Sequence, residues 1–204
     1  MAKIRNYGEA DFDAVYRICL ETGAAGKDAT SLYEDSRIIG HVYAGPYVRF
    51  SPETAFVIED EDGVGAYIIG PVDTKSFEKR LEQDWWPELR RKYSDPDIAH
   101  AADWSADERM MHLIHHPAKT PKRIAERHPA HLHIDLLPRL QGRGLGRELI
   151  RLWSERVRAL GATGFHLAVG AANERAIGFY RACGLEEVES HGPPYNVFFF
   201  GQRL

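Results

Sequence analysis

The chain has 204 residues, of which 44% are hydrophobic and 27% are charged, a composition typical of a folded globular protein. Its 26 basic and 30 acidic side chains give a net charge of −4, which argues against a nucleic-acid surface. No apolar run approaches the roughly 18 residues that a membrane span needs. Only Cys19 and Cys183 are present. We therefore expect no nucleic acid, no membrane partner and a reducing, cytoplasmic location.

The first part of the chain predicts a strand, a helix and a β-hairpin. A short strand begins at Ile4, and the N-terminus lacks the apolar core of a signal peptide. Apolar residues recur at helical spacing over 12–20, and Gly23 ends this helix. The apolar runs 55–58 and 65–69 flank an acidic turn that ends in Asp-Gly, which is typical of a hairpin.

The middle of the chain, residues 72–129, lacks clear periodicity. An apolar stripe over 77–89 predicts a helix that Pro87 should break or bend. Three prolines and four basic residues over 117–129 predict a solvated loop. We interpret 72–129 as an insertion in a single domain spanning 1–204. A long insertion of this kind often forms a lid or a wall of a binding site.

The last part of the chain has the clearest pattern. A strand at 131–137, a helix at 144–160 and a strand at 165–170 make a βαβ unit. A further helix is predicted at 174–182, and Gly184, two residues later, is the residue that ends it. Two final strands are predicted at 185–190 and 196–201.

A glycine-rich turn joins the strand 131–137 to the following helix, with the sequence Gln141-Gly142-Arg143-Gly144-Leu145-Gly146-Arg147. Glycines allow backbone N–H groups to approach a phosphate, and the helix N-terminus and the arginines add positive charge. The dinucleotide pattern G-x-G-x-x-G does not fit because its last position is arginine, and the Gly-Lys-Ser/Thr of triphosphate loops is absent. A plain connecting turn is the alternative, which three glycines and two arginines disfavour.

The chain resembles the GCN5-related N-acetyltransferase (GNAT) family. One block, Gln141-x-x-Gly144-x-Gly146, matches the pattern with which the family holds the pyrophosphate of acetyl-coenzyme A. A second block follows in the expected order, Asn173-x-x-Ala176-x-x-Phe179-Tyr180-x-x-x-Gly184-Leu185. Within the family, His133-Ile134-Asp135-Leu136 is similar to the acetyltransferase-like C-terminal domain of O-GlcNAcases.

The resemblance implies an α/β fold with a mixed, mostly antiparallel sheet of six to seven strands and flanking helices. The fourth and fifth strands, 131–137 and 165–170, would form a splayed parallel pair. It also implies an enzyme that transfers an acetyl group from acetyl-CoA to an unidentified primary amine, on a small molecule or peptide, by direct attack in a ternary complex. The alternative is an inactive acetyl-CoA-binding pseudo-acetyltransferase that acts as a sensor or interaction domain. Oligomeric state is not implied.

The resemblance also implies a set of coenzyme-binding residues. Backbone N–H groups of the turn would bind the pyrophosphate, the end of the strand 131–137 would pair with the extended pantetheine arm, and an asparagine would bond a pantetheine amide. The N–H of Leu136 would also polarise the thioester carbonyl. The implied positions are Leu136, Leu137, Gln141, Gly142, Arg143, Gly144, Leu145, Gly146, Arg147, Asn173, Phe179 and Tyr180.

Two residues are candidates for acid–base catalysis. Tyr180 matches the family's acid, and a phenol can donate the proton that a departing thiolate needs. A packed core tyrosine is the alternative. Asp135 is the candidate base for the acceptor ammonium, because a carboxylate inside an apolar strand is costly unless it is paired or functional. The alternative is a structural Asp135 that accepts backbone hydrogen bonds or pairs with His133.

Other candidate residues have less sequence support. The histidines at 112, 115, 116, 131 and 133 are zinc-ligand residue types, but neither HExxH nor a paired-cysteine spacing accompanies them. We therefore expect solvated or core histidines and no metal. The insertion is expected to make the acceptor site a deep pocket for a small amine or a narrow peptide end. Further acceptor-side candidates are Tyr33, Tyr47, Asp73 and Tyr195.

Overall fold

The computed structural model describes residues 2–192 and 196–204. In those ranges, eight strands are present: β1 Lys3–Asn6, β2 Phe56–Asp60, β3 Gly63–Ile69, β4 Ala130–His131, β5 His133–Leu136, β6 Gly164–Gly170, β7 Glu186–His191 and β8 Val197–Arg203. They form two four-stranded sheets with the orders β1-β2-β3-β5 and β4-β6-β8-β7. All neighbours are antiparallel except β4 and β6, which are parallel.

Nine α-helices flank the sheets within the same ranges: α1 Phe12–Thr22, α2 Ile38–Tyr43, α3 Gly45–Phe50, α4 Thr74–Asp84, α5 Trp86–Lys92, α6 Ala106–His115, α7 Lys122–Arg127, α8 Leu145–Ala159 and α9 Glu174–Ala182. The break between α4 and α5 falls as expected, with Pro87 in the first turn of α5. None of these helices is long and apolar enough to cross a membrane.

The two sheets meet where the predicted strand 131–137 changes its partner. β4 pairs in parallel with β6 only at Ala130 and His131, and β5 then pairs antiparallel with β3. Leu132 separates the two segments, so counting them as one bent strand gives seven strands in a continuous order. The mixed, mostly antiparallel fold with a splayed parallel pair is therefore confirmed.

The middle segment is more helical than its sequence indicates. It contains α4 to α7, and the predicted solvated loop 117–129 is wrong in part, because α7 lies within it. Ile124 and Ala125 are buried on this helix, and Pro121 stands at its start, where the missing proline N–H does no harm. The flanking prolines and basic residues obscure this short apolar contact in the sequence.

The hydrophobic core has two clusters on opposite faces of β3 and β5. Tyr67, Ile69 and Leu137 belong to the first cluster, with α1 to α6. Ile68 and Ala66 belong to the second cluster, with α8 and α9, and Ile134 and Leu136 pack against it. Because side chains alternate along a strand, odd-numbered β5 residues face the first cluster and even-numbered residues face the second.

Candidate active site

The glycine-rich turn has the backbone geometry of an anion-binding cradle. Gly142 and Gly144 adopt positive φ angles of 71° and 78°, a conformation that other residues adopt only at a cost. A Cβ atom at either position would meet no atom within 4 Å, so both glycines border open space. Gly144 precedes α8 without any side-chain cap, which leaves N–H groups of the first turn facing that space.

Side chains around the turn serve its structure. The Gln141 side chain donates from Nε2 to the Leu136 carbonyl at 2.6 Å, which closes the turn against the end of β5. The guanidinium of Arg147 donates to the Ala182 carbonyl at 2.7 Å, at the C-terminal end of α9. The charge-assisted bond expected from Arg147 to a phosphate stays a prediction, because this bond occupies one of its guanidinium nitrogens. Arg143 is exposed, and its guanidinium lies 3.4 Å from the Arg139 carbonyl oxygen.

The third glycine of the turn brings two helices together. A Cβ atom on Gly146 would lie 3.0 Å from Cζ of Phe179, so α8 and α9 approach too closely here for a larger residue. The Phe179 ring also lies 5.4 Å from the ring of Tyr180. Gly146 and Phe179 thus fix the position of α9 relative to the turn, and Leu145 is the first residue of α8.

A gap opens between β5 and β6 beside this turn. The Leu132 N–H donates to His166 O of β6 at 3.2 Å, whereas the Leu137 N–H donates to Gly65 O of β3 at 2.9 Å. Backbone bonds of an antiparallel pair alternate along a strand, so the N–H groups of Ile134 and Leu136 point toward the gap. Leu136 is placed as expected, and Ile134 is a further gap-facing residue that the sequence analysis missed.

The expectation for Leu137 is wrong. Its N–H is bonded to Gly65 and its carbonyl accepts the Leu140 N–H at 2.9 Å, so both of its backbone groups are engaged. Its side chain is buried in the first core cluster. The physical reason is the strand alternation, which prevents two successive residues from presenting their N–H groups to the same side.

Tyr180 lies on α9, and its side chain is a buried member of the second core cluster, as the packed-core alternative expects. It is 8% exposed, and its ring lies 5.8 Å from the Phe200 ring. None of the described residues forms a hydrogen bond with its hydroxyl group. Burial raises the pKa of Tyr180, and the nearby negative charge of Asp135 raises it further. The charge of Asp135 thus acts on Tyr180 although the two side chains lie toward different core clusters, and neither of them is part of the pocket wall described below.

Asp135 is held by a partner that the sequence analysis missed. The Tyr67 hydroxyl donates to Asp135 Oδ2 at 2.5 Å, from the directly opposite position on β3. Burial raises the pKa of Asp135, and the hydrogen bonds from Tyr67 and Thr22 only partly offset this. The proposed pairing with His133 is not found, since the His133 ring bonds elsewhere. Tyr67 has no signal in the sequence because its partner comes from a distant strand.

Asn173 forms the N-cap of α9. Its Oδ1 accepts the Ala176 N–H at 3.1 Å, which is the usual bond of an asparagine cap. The amide also lies beside Gly26 of the loop after α1, where a Cβ atom would be 3.7 Å away. Among the described residues no acceptor is bonded to Nδ2, which leaves this group able to donate to a ligand.

A pocket of about 230 Å³ lies where β4 and β6 separate. Its walls come from the helices α2 to α6, from the segment after α6, and from β4, β5, β6 and β8. The wall includes Tyr47, Phe77, Glu78, His131, His133 and His166. Apart from Tyr47 and the two histidines at 131 and 133, these residues were not singled out by sequence, because they are scattered along the chain.

The three histidines of the pocket are uncharged at neutral pH. Burial lowers the pKa of His133 and of His166 to about 4, and it lowers the pKa of His131 well below its usual range. The Tyr47 hydroxyl bridges two of them, lying 3.2 Å from His131 Nε2 and 3.0 Å from His133 Nε2. His131 Nδ1 lies 2.8 Å from Thr74 Oγ1. This network fixes the rings in the wall.

The other acceptor-side candidates have different positions. Tyr33 packs against the first core cluster, outside the pocket wall. Asp73 is the N-cap of α4, where its side chain accepts the Ser76 N–H at 2.8 Å. Tyr195 lies outside the described residues. Of these candidates in the described ranges, only Tyr47 lines the pocket.

Comparison with known sequences decides the family. The sequence profile of the acetyltransferase (GNAT) family matches residues 6–185. The chain belongs to the acetyltransferase (GNAT) family. This confirms the resemblance drawn from the two motif blocks, and acetyl transfer to an amine is the general chemistry of GNAT proteins.

The similar proteins agree with this GNAT assignment. The chain is 34% identical to a solved structure named SsHAT, with a TM-score of 0.87, over 99% of this chain and 98% of that one. It is 26% identical over 203 residues to Protein O-GlcNAcase of Rattus norvegicus and of Mus musculus, which confirms the resemblance to O-GlcNAcases. These matches cover 98% of this chain and only 22% of each relative, about a fifth of its length.

More distant GNAT structures share the fold. A polyamine N-acetyltransferase of Drosophila melanogaster, described as forming N-acetylagmatine, is 18% identical with a TM-score of 0.62, over 100% of both chains. An agmatine N-acetyltransferase is 19% identical with a TM-score of 0.61, over 100% of this chain and 99% of that one. At these identities the likeness extends to the fold alone.

Proposed function

We propose that this chain is a single-domain, acetyl-CoA-dependent N-acetyltransferase that acetylates a small primary amine by direct attack in a ternary complex. One observation carries this proposal. The pocket is lined by His131, Leu132 and His133 on one side and by 166–168 of β6 on the other, so it opens at the point where β4 and β6 separate. An acyl donor in the gap and an acceptor in the pocket would therefore meet at that point.

The residues around the gap fit acetyl-CoA, which supplies an activated acetyl thioester when bound. N–H groups of Gly142 to Arg147 would hold its pyrophosphate, because the cradle is exposed and free of Cβ atoms at Gly142 and Gly144. The N–H groups of Ile134 and Leu136 would bond the extended arm as a neighbouring strand would. Asn173 Nδ2 would donate to an amide carbonyl of that arm.

Asp135 and Tyr180 have environments suited to opposite proton transfers. The burial that raises the pKa of Asp135 makes its carboxylate a stronger base toward the acceptor ammonium. Burial and the Asp135 charge keep the proton on Tyr180. Once Asp135 has taken a proton, its charge no longer raises the pKa of Tyr180, so this phenol becomes a stronger acid when the departing sulfur needs a proton. The Leu136 N–H would stabilise negative charge on the carbonyl oxygen.

The pocket favours a small amine acceptor. Its volume of about 230 Å³ admits a small molecule or the end of a narrow chain rather than a broad protein surface. Its three histidines are neutral, so they do not repel a cation, and the carboxylates of Glu78 and Glu82 outnumber the one ammonium of the wall, Lys119. Aromatic rings from Tyr47 and Phe77, 4.8 Å apart, provide an apolar wall for a hydrocarbon stem.

A second function is acetyl-CoA binding without turnover. The bond from Tyr67 to Asp135 favours it, because a carboxylate that already has a buried partner can be purely structural. Both functions require acetyl-CoA binding, and only the enzyme releases free thiol in the presence of an amine.

Calorimetry with a matched pair of glycine variants tests the coenzyme site. Gly144→Glu places a charge and bulk in the cradle at the start of α8. Gly161→Glu is the control, because Gly161 follows α8 at its other end, also has a positive φ, 97°, and also borders open space. Both substitutions place a non-glycine residue at a positive φ, so their cost in backbone strain is similar. We therefore expect an acetyl-CoA Kd at least about 100-fold weaker only for Gly144→Glu. Equal binding by both variants, or none by the wild type, contradicts the proposal.

The second stage measures acceptor-dependent thiol release with a panel of small primary amines. Turnover with any of them supports the enzyme. Tight acetyl-CoA binding without thiol release across the panel, and across a panel of lysine peptides, supports the binding module instead.

A further inference from the structure

Three potential metal ligands converge at the end of α6, outside the candidate active site. One ligand atom from each of Asp95, His112 and His116 lies within 4.8 Å of the other two. The two histidines are four residues apart and therefore share one face at the helix end. Asp95 comes from the loop after α5, so the cluster joins two separate parts of the chain.

The cluster contains a buried nitrogen without a hydrogen bond in the described part of the chain. His112 Nδ1 is shielded from solvent and forms no hydrogen bond with any described residue. It lies 3.5 Å from Asp95 Oδ1, while the other carboxylate oxygen lies 2.6 Å from His116 Nε2. A buried polar atom without a hydrogen bond lowers stability, and such an atom in a native protein often marks an absent water or ion.

We propose that Asp95, His112 and His116 bind a divalent transition-metal cation, for which Zn²⁺ is the representative ion. Bond lengths of about 2.0–2.2 Å in a tetrahedral site place neighbouring ligand atoms roughly 3.4 Å apart, so a bound ion requires the three ligand atoms, which lie within 4.8 Å of one another, to shift toward that separation. Two imidazole nitrogens favour Zn²⁺, Ni²⁺ or Cu²⁺ over Mg²⁺ and Ca²⁺, which prefer oxygen ligands. Water would complete the coordination.

This site differs from the expectation of no metal. That expectation relied on contiguous ligand motifs, whereas here the third ligand comes from a loop remote in sequence. The surrounding contacts support a built site. The Trp104 ring lies 4.7 Å from the His112 ring, and His115 Nε2 lies 2.8 Å from the Tyr93 carbonyl oxygen, which ties the loop to the helix.

A bound ion would also support the acceptor pocket. His116 directly precedes 117–120, which forms part of the pocket wall, and Leu113 of α6 lines the same pocket. A cation that joins α6 to the loop after α5 would therefore fix the starting point of that wall. The binding proposal itself does not depend on acetyltransferase activity.

Metal binding by the full chain tests the proposal directly. After removal of metals with a chelator, Zn²⁺ is titrated calorimetrically into the wild type, His116→Gln and His100→Gln. His100 is an exposed histidine outside the cluster and serves as the matched control. We expect one Zn²⁺ site in the wild type and His100→Gln, and a Kd at least about 100-fold weaker in His116→Gln. Mg²⁺ should not bind.

Thermal unfolding gives an independent measurement. At a free Zn²⁺ concentration about 100 times the Kd, we expect the wild-type Tm to rise by about 5–10 °C. Asp95→Asn, which keeps the side-chain shape, should abolish this rise without lowering the metal-free Tm by more than a few degrees. The absence of Zn²⁺ binding in the wild type, or equal binding by wild type, His116→Gln and Asp95→Asn, overturns the proposal.

Discussion

On the coenzyme side, from β5 to α9, most groups that face the gap belong to the backbone. They are N–H groups of Ile134, Leu136 and the glycine-rich turn, positioned by strand alternation and by two positive φ angles. In the acceptor pocket the facing groups are side chains, such as Tyr47 and His133, from elements far apart in sequence. One half is therefore specified locally, and the other only by the assembled fold.

The two halves also differ in how they handle charge. The turn before α8 offers unpaired N–H groups to an anion, and the arginine at 147 is bonded away from them. The pocket keeps three histidines neutral by burial, and its wall carries two carboxylates, Glu78 and Glu82, against one ammonium, Lys119. This contrast suits an anionic coenzyme on one side and a cationic amine on the other.

Tyr180→Phe should have the largest effect on turnover, because the Tyr180 hydroxyl is the main side-chain group that takes part in the chemistry on the coenzyme side. We expect kcat to fall by about 100-fold or more, since a general acid contributes about 10²–10⁴-fold. The acetyl-CoA Kd should stay within twofold, because backbone groups hold the coenzyme. Tyr7→Phe is the control, since Tyr7 follows β1 at the far edge of the sheet. Unchanged turnover in Tyr180→Phe would exclude the acid role.

Asp135→Asn tests the candidate base. We expect kcat to fall by about 100-fold or more through loss of the base, with no fall in Tm at neutral pH. Burial raises the folded-state pKa of Asp135 above its ordinary value of 3.8. The wild type therefore loses stability as pH rises through that pKa, and the neutral amide does not. The amide oxygen can still accept the Tyr67 hydroxyl.

The activity of the wild type should have the opposite pH dependence to this stability contribution. Turnover requires the Asp135 carboxylate, so kcat falls as pH drops through its raised pKa. Measuring Tm and kcat of both proteins across acidic to neutral pH separates the two effects. If Asp135→Asn keeps full turnover, Asp135 is structural; if its Tm drops sharply at neutral pH, the carboxylate contributes net stability.

Tyr47→Phe should have the smallest effect, confined to the acceptor pocket. It removes the hydroxyl that lies between His131 and His133, so the two rings lose a shared partner. Loss of one neutral hydrogen bond, about 1 kcal/mol, corresponds to roughly a fivefold increase in the acceptor KM. The acetyl-CoA Kd, measured by calorimetry, should not change. A weaker coenzyme Kd would show that the halves are not independent.

The sequence predicts the locally specified half well. Helix α9 has the predicted bounds because Asn173 caps it and Gly184 follows it with a positive φ of 82°. The interruption at Leu132 was not predictable, because side-chain alternation continues through it while the backbone changes partner from β6 to β3. The directions of long side chains were also not predictable, as the bond from Arg147 to Ala182 shows.

The pocket could not be predicted because its residues share no local pattern. The Tyr47 hydroxyl lies 3.2 Å from His131 Nε2, although the two residues belong to α3 and β4. Tyr67 contacts Asp135 only because β3 pairs with β5. In the middle segment, Ile124 and Ala125 are buried although charged residues and prolines surround them. Such contacts depend on the tertiary fold, and the sequence of one segment does not encode them alone.

The alternating backbone of β5 has a consequence for hydrogen–deuterium exchange. The amides of His133 and Asp135 face β3, so they exchange only when that strand pair opens. The amides of Ile134 and Leu136 face the gap, so they should exchange quickly in the same folded molecule. Amide exchange at neighbouring residues of β5 would thus report two different events. Exchange at His133 and Asp135 would report the opening of the sheet, and exchange at Ile134 and Leu136 would report whether a ligand fills the gap.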